Sequence, residues 1–110
     1  LERIVMDPTI GALGYGLEYA YSIMERARLA ALSGDRNVAC PFICFTGQET
    51  WKVKEAVAAR ADFPHWGDKE KRGILWEAVT ASALLQAGAD ILVMRHPKAA
   101  EEIKKYACHR

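Results

Sequence analysis

Three stretches carry residue types able to bind or act on a ligand, and each follows directly on an apolar run. The longest is Asp7-Pro8-Thr9-Ile10-Gly11-Ala12-Leu13-Gly14-Tyr15-Gly16, which packs three glycines into six residues between Ile4-Val5-Met6 and a helical pattern. Glycine lets a backbone pass close to another molecule. The loop N–H groups and the positive end of the following helix suit an anion or a polar ligand edge. The wide glycine gap comes first, so this is not the dinucleotide fingerprint Gly-x-Gly-x-x-Gly, and no Walker lysine follows. A tight strand-to-helix turn with no ligand uses the same glycines. Asp7 is a candidate general base or ligand acceptor, but the role adopted for it is to accept bonds from its own loop. Tyr15, with an apolar body and a polar tip, either lines a planar cofactor or plugs a barrel mouth.

The second stretch, Thr46-Gly47-Gln48, offers two neutral hydrogen-bonding side chains, suited to amides or a pterin-like heterocycle rather than acid–base work. Thr46 alone reads as a helix N-cap. The third, Arg95-His96-Pro97, sets a cation beside an imidazole. A lone histidine next to proline at a helix start reads first as a capping or surface residue. No other His, Cys or carboxylate stands at a metal-ligand spacing from it. Cys40, Cys44 and Cys108 are an odd number and make no disulfide framework. Cys40 and Cys44 flank Pro41-Phe42-Ile43 and read as small buried hydrophobes. Between two helical patterns, Pro64-His65-Trp66-Gly67-Asp68-Lys69-Glu70-Lys71-Arg72 mixes tryptophan with both charge signs. That is either an interface anchor or a solvated loop with Trp66 tucked onto a helix. No Ser–His–Asp or Cys–His set is present.

The elements that must position these residues alternate. Ile4–Met6, Cys40–Phe45 and Ile91–Met94 are apolar runs that read as buried strands. Apolar residues recur at spacings of three and four from Leu17 to Leu32 (Ala20, Met24, Ala27, Ala31), and Gly34 is placed to end that helix. A second helical pattern covers about 49–61. A third runs from Lys69 or Gly73 to Ala87, with Leu75, Ala78, Val79, Ser82 and Leu85 inward and Gly88 as its cap. Pro97 opens a last helix. Strands apolar on both faces and separated by helices belong in a parallel sheet. An open doubly wound sheet and a (β/α)8 barrel both fit, and in both the ligand lies at the carboxyl ends of the strands. That rule selects the three stretches above.

With 110 residues, 51% hydrophobic, 26% charged and net charge +1, the chain has the composition of one soluble domain at most. No apolar run nears the ~20 residues of a membrane span. There is no signal-peptide layout and no basic stripe for nucleic acid. The expectation is a cytoplasmic protein. Leu1-Glu2-Arg3 lacks an initiator Met and Ile4 already begins a strand, so the expected organisation is an internal segment, 1–110, truncated at both ends.

The run from Ile4 to Tyr19, continuing through Tyr21-Ser22-Ile23-Met24-Glu25-Arg26, resembles the small (delta) subunit of the corrinoid iron–sulfur protein of the carbon monoxide dehydrogenase/acetyl-CoA synthase system. The Trp51 helix, Phe63-Pro64-His65-Trp66-Gly67 and Gly88–Pro97 extend the resemblance over nearly the whole chain. Ile10 departs from it, standing where threonine is expected. The resemblance implies a partial TIM (β/α)8 barrel with about three parallel strands and flanking helices. It implies a large-subunit partner bearing a [4Fe–4S] cluster and a corrinoid, with the cobalamin shared between the two subunits. The cobalamin carries a methyl group from methyltetrahydrofolate or methyltetrahydropterin to acetyl-CoA synthase; the methyltransferase and the synthase are transient partners. This subunit is then non-catalytic, because the cofactor does the chemistry. Thr9, Gly11, Gly14, Tyr15 and Gly16 would face the corrin and Asp7 would hold their loop. Gln48, Arg95 and His96 are added by the strand-end rule. The competing expectation is an independent pterin-dependent methyltransferase barrel. It wants carboxylate and Asn ligands, and the one asparagine, Asn37, lies at the wrong end of its strand.

Overall fold

A computed structural model describes residues 3–108. Helix α1 spans Leu17–Leu32, β1 Ile43–Cys44, α2 Thr46–Thr50, α3 Lys54–Val57, α4 Lys69–Ala87, β2 Ile91–Leu92 and α5 Pro97–Cys108. Single 3-10 turns occupy Arg36–Val38 and Pro64–Trp66.

The expected barrel segment with three parallel strands is overturned. The described residues hold one two-stranded parallel sheet, with Ile43 opposite Ile91 and Cys44 opposite Leu92. The Ile4–Met6 run contributes only an isolated parallel bridge, Met6 to Phe42. Its ladder stops at two bonds, Met6 N–H to the Pro41 carbonyl (2.8 Å) and Ile43 N–H to the Met6 carbonyl (2.9 Å). A parallel strand persists where both faces are covered. Ile4 and Val5 stay 51% and 49% exposed, so little packing holds that run in extended pairing.

The helices follow their signals unevenly. α1 buries Leu17, Ala20 and Met24, and Gly34 takes a left-handed φ of 110° just past its end. Pro97 does open α5 and Gly88 caps α4 at φ 114°. α4 starts at Lys69 because the Asp68 side chain caps it, accepting from Lys71 N–H at 3.0 Å. Its buried face, however, is Gly73, Glu77, Thr80, Ala81, Leu84 and Ala87, not the expected one. Leu75 is 62% exposed. Polar Glu77 and Thr80 go inward because each meets donors there: Trp51, Arg95 and His96 for Glu77, and Leu13 N–H for Thr80. The expected helix over 49–61 is two short ones, broken at Trp51–Val53, with Val53 extended at ψ 153°. Buried Arg72 donates to the carbonyls of Glu55 (2.7 Å), Ala58 (2.9 Å), Trp66 (3.3 Å) and Gly67 (3.2 Å). Those carbonyls are thereby satisfied without a further helical turn, and α3 ends at Val57. Thr46 is not an N-cap: it lies inside α2, whose cap residue is Phe45.

The core joins α1, the sheet and α4 through Met24, Phe42, Cys44 and Leu84, each at most 1% exposed. Burying a side chain such as Phe42 or Met24 contributes ~1.5–3 kcal/mol. At the amino ends of the strands, Arg28 from α1 donates to the Cys40 carbonyl (2.9 Å), the Gly88 carbonyl (2.9 Å) and Asp90 Oδ2 (2.6 Å). Its guanidinium also lies 4.6 Å from the Phe42 ring centroid. Stability is thus built at one end of the sheet, leaving the other end for the loops of interest.

Burial pushes the Cys44 thiol up to about 11, so it stays protonated through mildly alkaline pH. Alkylation of the folded protein at pH 8 is expected to modify half-buried Cys40 well before Cys44. Tandem mass spectrometry of the peptide holding both reads the order; equal labelling would contradict the packed core. The side chain of Cys108 lies outside the described residues.

Candidate functional site

The carboxyl ends of the strands form a rim. Met6 leads into Asp7, whose Oδ1 accepts from Thr9 N–H at 2.9 Å, an Asx turn that holds Thr9 at a positive φ of 58°. β1 leads into Gly47 and Gln48, and β2 into Arg95 and His96. A hollow of about 230 Å³ is lined by Asp7, Thr9, Ile10, Phe45, Gln48 and Glu49. A cleft of about 600 Å³ is lined by Gly47, Gln48, Lys52, Val93, Met94 and Arg95. Gln48 borders both, so Asp7, Thr9, Gln48 and Arg95 share one rim.

The glycines of the first loop sit elsewhere. A side chain at Gly11 would reach within 2.1 Å of the Tyr15 carbonyl, so this glycine serves the loop's own turn. Gly14 is open, with nothing within 4 Å of where a Cβ would lie. Gly16, left-handed at φ 102°, precedes α1. Leu13 N–H is bound by Thr80 Oγ1 (3.3 Å) and Tyr15 N–H by the Ala12 carbonyl (2.8 Å), which removes two donors from any anion. Tyr15, 48% exposed, donates through its hydroxyl to Glu55 Oε2 at 2.7 Å. That hydrogen bond raises the tyrosine above its usual value and lowers the glutamate below its own.

His96 is turned aside. Its ring stacks on Trp51 with centroids 5.8 Å apart, and its Nε2 lies 3.1 Å from Glu70 Oε1. Beneath it is the feature that the sequence reading missed, the fully buried carboxylate of Glu77. Oε1 accepts from Trp51 Nε1–H (2.8 Å) and His96 N–H (3.1 Å), and Oε2 from Arg95 N–H (2.5 Å). A signal existed: Glu77 has no basic residue three or four positions away, where Gly73, Ile74, Thr80 and Ala81 stand. An acid on an otherwise apolar stretch of helix with no such partner finds its donors elsewhere. Trp66 stacks on Phe63 at 4.1 Å and lies under Arg72 at 5.5 Å, so it is tucked onto α4.

Among the described residues no group of three His, Cys, Asp or Glu side chains could hold a metal ion. Nor is any of their helices long and apolar enough to cross a membrane. What the rim offers is neutral hydrogen bonding from Thr9 and Gln48, aromatic surface from Phe45 and a cation from Arg95.

Residues 1–105 match the family described as CO dehydrogenase/acetyl-CoA synthase delta subunit. Delta subunit 2 of the acetyl-CoA decarbonylase/synthase complex of Methanosarcina acetivorans is 44% identical over 109 residues, which cover 94% of this chain and 24% of that protein. The delta subunits of Archaeoglobus fulgidus (41% over 109 residues, 94% and 24%) and Methanopyrus kandleri (46% over 102 residues, 93% and 24%) are similar in the same way. The chain therefore spans about a quarter of the length of these relatives. A match of this extent places it: the chain belongs to the CO dehydrogenase/acetyl-CoA synthase delta subunit family.

Proposed function

We propose that this chain forms part of a non-catalytic subunit that holds one side of a corrinoid in a methyl-carrying corrinoid iron–sulfur protein. The observation that carries this reading is the shared rim, where Thr9 and Gln48 stand beside Phe45, which is 36% exposed. A corrin is a broad apolar ring fringed by amides, so Thr9 and Gln48 beside Phe45 suit its edge, while Asp7 and Glu49 of the same hollow can accept from its amide N–H groups. Thr9 and Gln48 would meet the ring edge, and Asp7 would keep Thr9 in its turn. When bound, the corrinoid supplies a cobalt that carries the methyl group. The chain's own residues orient it and exclude water.

The large subunit holds the corrinoid from the other side and bears the [4Fe–4S] cluster. A methyltransferase and acetyl-CoA synthase dock in turn, in the cytoplasm. The methyl source in this reading is methyltetrahydrofolate or methyltetrahydropterin. The complete delta subunit and its large subunit are expected to co-elute from a sizing column with corrinoid absorbance in the same peak. A delta subunit that elutes alone and binds the methylated pterin in calorimetry would overturn the proposal and make it a methyltransferase.

A further inference from the structure

One exposed residue on the rim has its backbone held on two sides while its guanidinium keeps no ion-pair partner among the described residues. The Arg95 backbone N–H is held by the buried Glu77 carboxylate. Its backbone and Cβ pack so closely on Gly47 that a methyl group there would lie 2.5 Å from Arg95 N and 2.6 Å from its Cβ. Its guanidinium carbon lies 6.0 Å from the Trp51 ring centroid, and that indole is itself fixed by Glu77 at 2.8 Å. Yet among the described residues no carboxylate pairs with Arg95. Glu70 is taken by His96 at 3.1 Å, and Glu49 faces Lys52 at 3.4 Å. That second pair is long and exposed, so Lys52 is free to turn toward the cleft it borders with Arg95. Val93 and Met94 add apolar surface to the same cleft.

We infer that the cleft between α2 and the end of β2 is a binding site for an oxyanion, carboxylate or phosphate, carried on a ligand with an apolar body. Arg95 holds the oxyanion through its forked N–H donors, Lys52 adds a point charge, and the apolar body lies on Val93 and Met94. The guanidinium's planar fork matches a carboxylate or phosphate with two parallel N–H donors, and the Trp51 ring 6.0 Å away gives it a face to lie along. The inference stands on this cleft and not on the corrinoid reading.

The complete delta subunit, titrated calorimetrically at low ionic strength with sodium pyrophosphate and with sodium citrate, tests it. One of the two is expected to bind at a single saturable site, pyrophosphate marking a phosphate-bearing ligand and citrate a carboxylate-bearing one. Arg95→Gln should weaken that binding roughly tenfold or more. Arg95→Lys should fall between, because it keeps the charge and loses the fork. Arg60→Gln, at an exposed arginine away from the cleft, should change nothing. Arg95 is exposed, so its variants should melt like the parent. No binding of either anion, or equal losses in the Arg60 and Arg95 variants, would overturn the site. No corrinoid enters this measurement, so its failure leaves the proposed function to its own test.

Discussion

Glu77→Ala is expected to cost about 3–5 kcal/mol of folding stability, read from urea denaturation of the delta subunit followed by tryptophan fluorescence. The carboxylate is 0% exposed and accepts from the Trp51 indole and the backbone of Arg95 and His96. Removing it strands three donors, each costing roughly 1–3 kcal/mol where water cannot reach, and leaves a cavity besides. Replacing a buried charge with a hydrophobe is often harmless when its partners go too. Here two of the three partners are main-chain N–H groups that no substitution removes, so that escape is closed. Glu77→Gln keeps the volume but turns an NH₂ toward a donor, and should cost less, roughly 1–3 kcal/mol. In a double-mutant cycle Trp51→Phe should cost less in the Glu77→Ala background than alone, because one stranded donor disappears. A loss under ~1 kcal/mol for Glu77→Ala would mean that the three bonds contribute nothing.

Gly47→Ala tests the same corner by steric means. The added methyl would sit 2.5 Å from the Arg95 amide nitrogen, 2.6 Å from its Cβ and 3.0 Å from its Cα. Two of those atoms are main chain, so no rotamer change relieves the contact. Neither strand end can retreat freely. Gly47 N–H is bound to the Val93 carbonyl at 2.9 Å, and Arg95 N–H is bound to Glu77. Alanine is the better helix former by ~1 kcal/mol, which acts in the opposite direction at the start of α2. Overpacking of this kind costs ~1–3 kcal/mol and more when backbone must move. The clash should win, with a net loss of about 2 kcal/mol and weaker anion binding in the Arg95 cleft. An unchanged urea midpoint with unchanged binding would show that the two elements separate easily.

Local signals were legible where one residue decides the outcome. Gly34 and Gly88 end their helices because only glycine takes φ near 110° without strain, and Pro97 opens α5 because its missing N–H costs nothing there. The strand-end rule brought Asp7, Thr9, Gln48 and Arg95 to one rim without any knowledge of contacts. What was not legible depends on partners distant in sequence. Leu75 and Val79 look like a core stripe until Glu77 and Thr80 find donors in loops 18 to 67 residues away. The early end of α3 at Val57 depends on Arg72, which reaches back 14 and 17 residues to claim carbonyls that a longer helix would have used. The third strand failed because apolar composition expresses a need for cover and does not supply it, as the exposure of Ile4 and Val5 records.

The Arg28 clasp also bears on the order in which the chain assembles. It joins residues 60 and 62 positions apart, while Phe42 and Asp90 meet across 48. Contacts this remote must wait until the intervening chain has been drawn into a loop, and the entropy of closing that loop is lost before any of them forms. α4 needs only neighbours and its Asp68 cap to begin, so helix formation is expected to precede pairing of β1 with β2. Asp90 Oδ2 accepts both from Arg28 and from Phe42 N–H, so one loop closure secures the helix-to-strand contact and the strand register together. The parallel pair is therefore expected to form late in folding, and until it does the apolar edges of Phe42 and Leu92 are open to pairing with other chains.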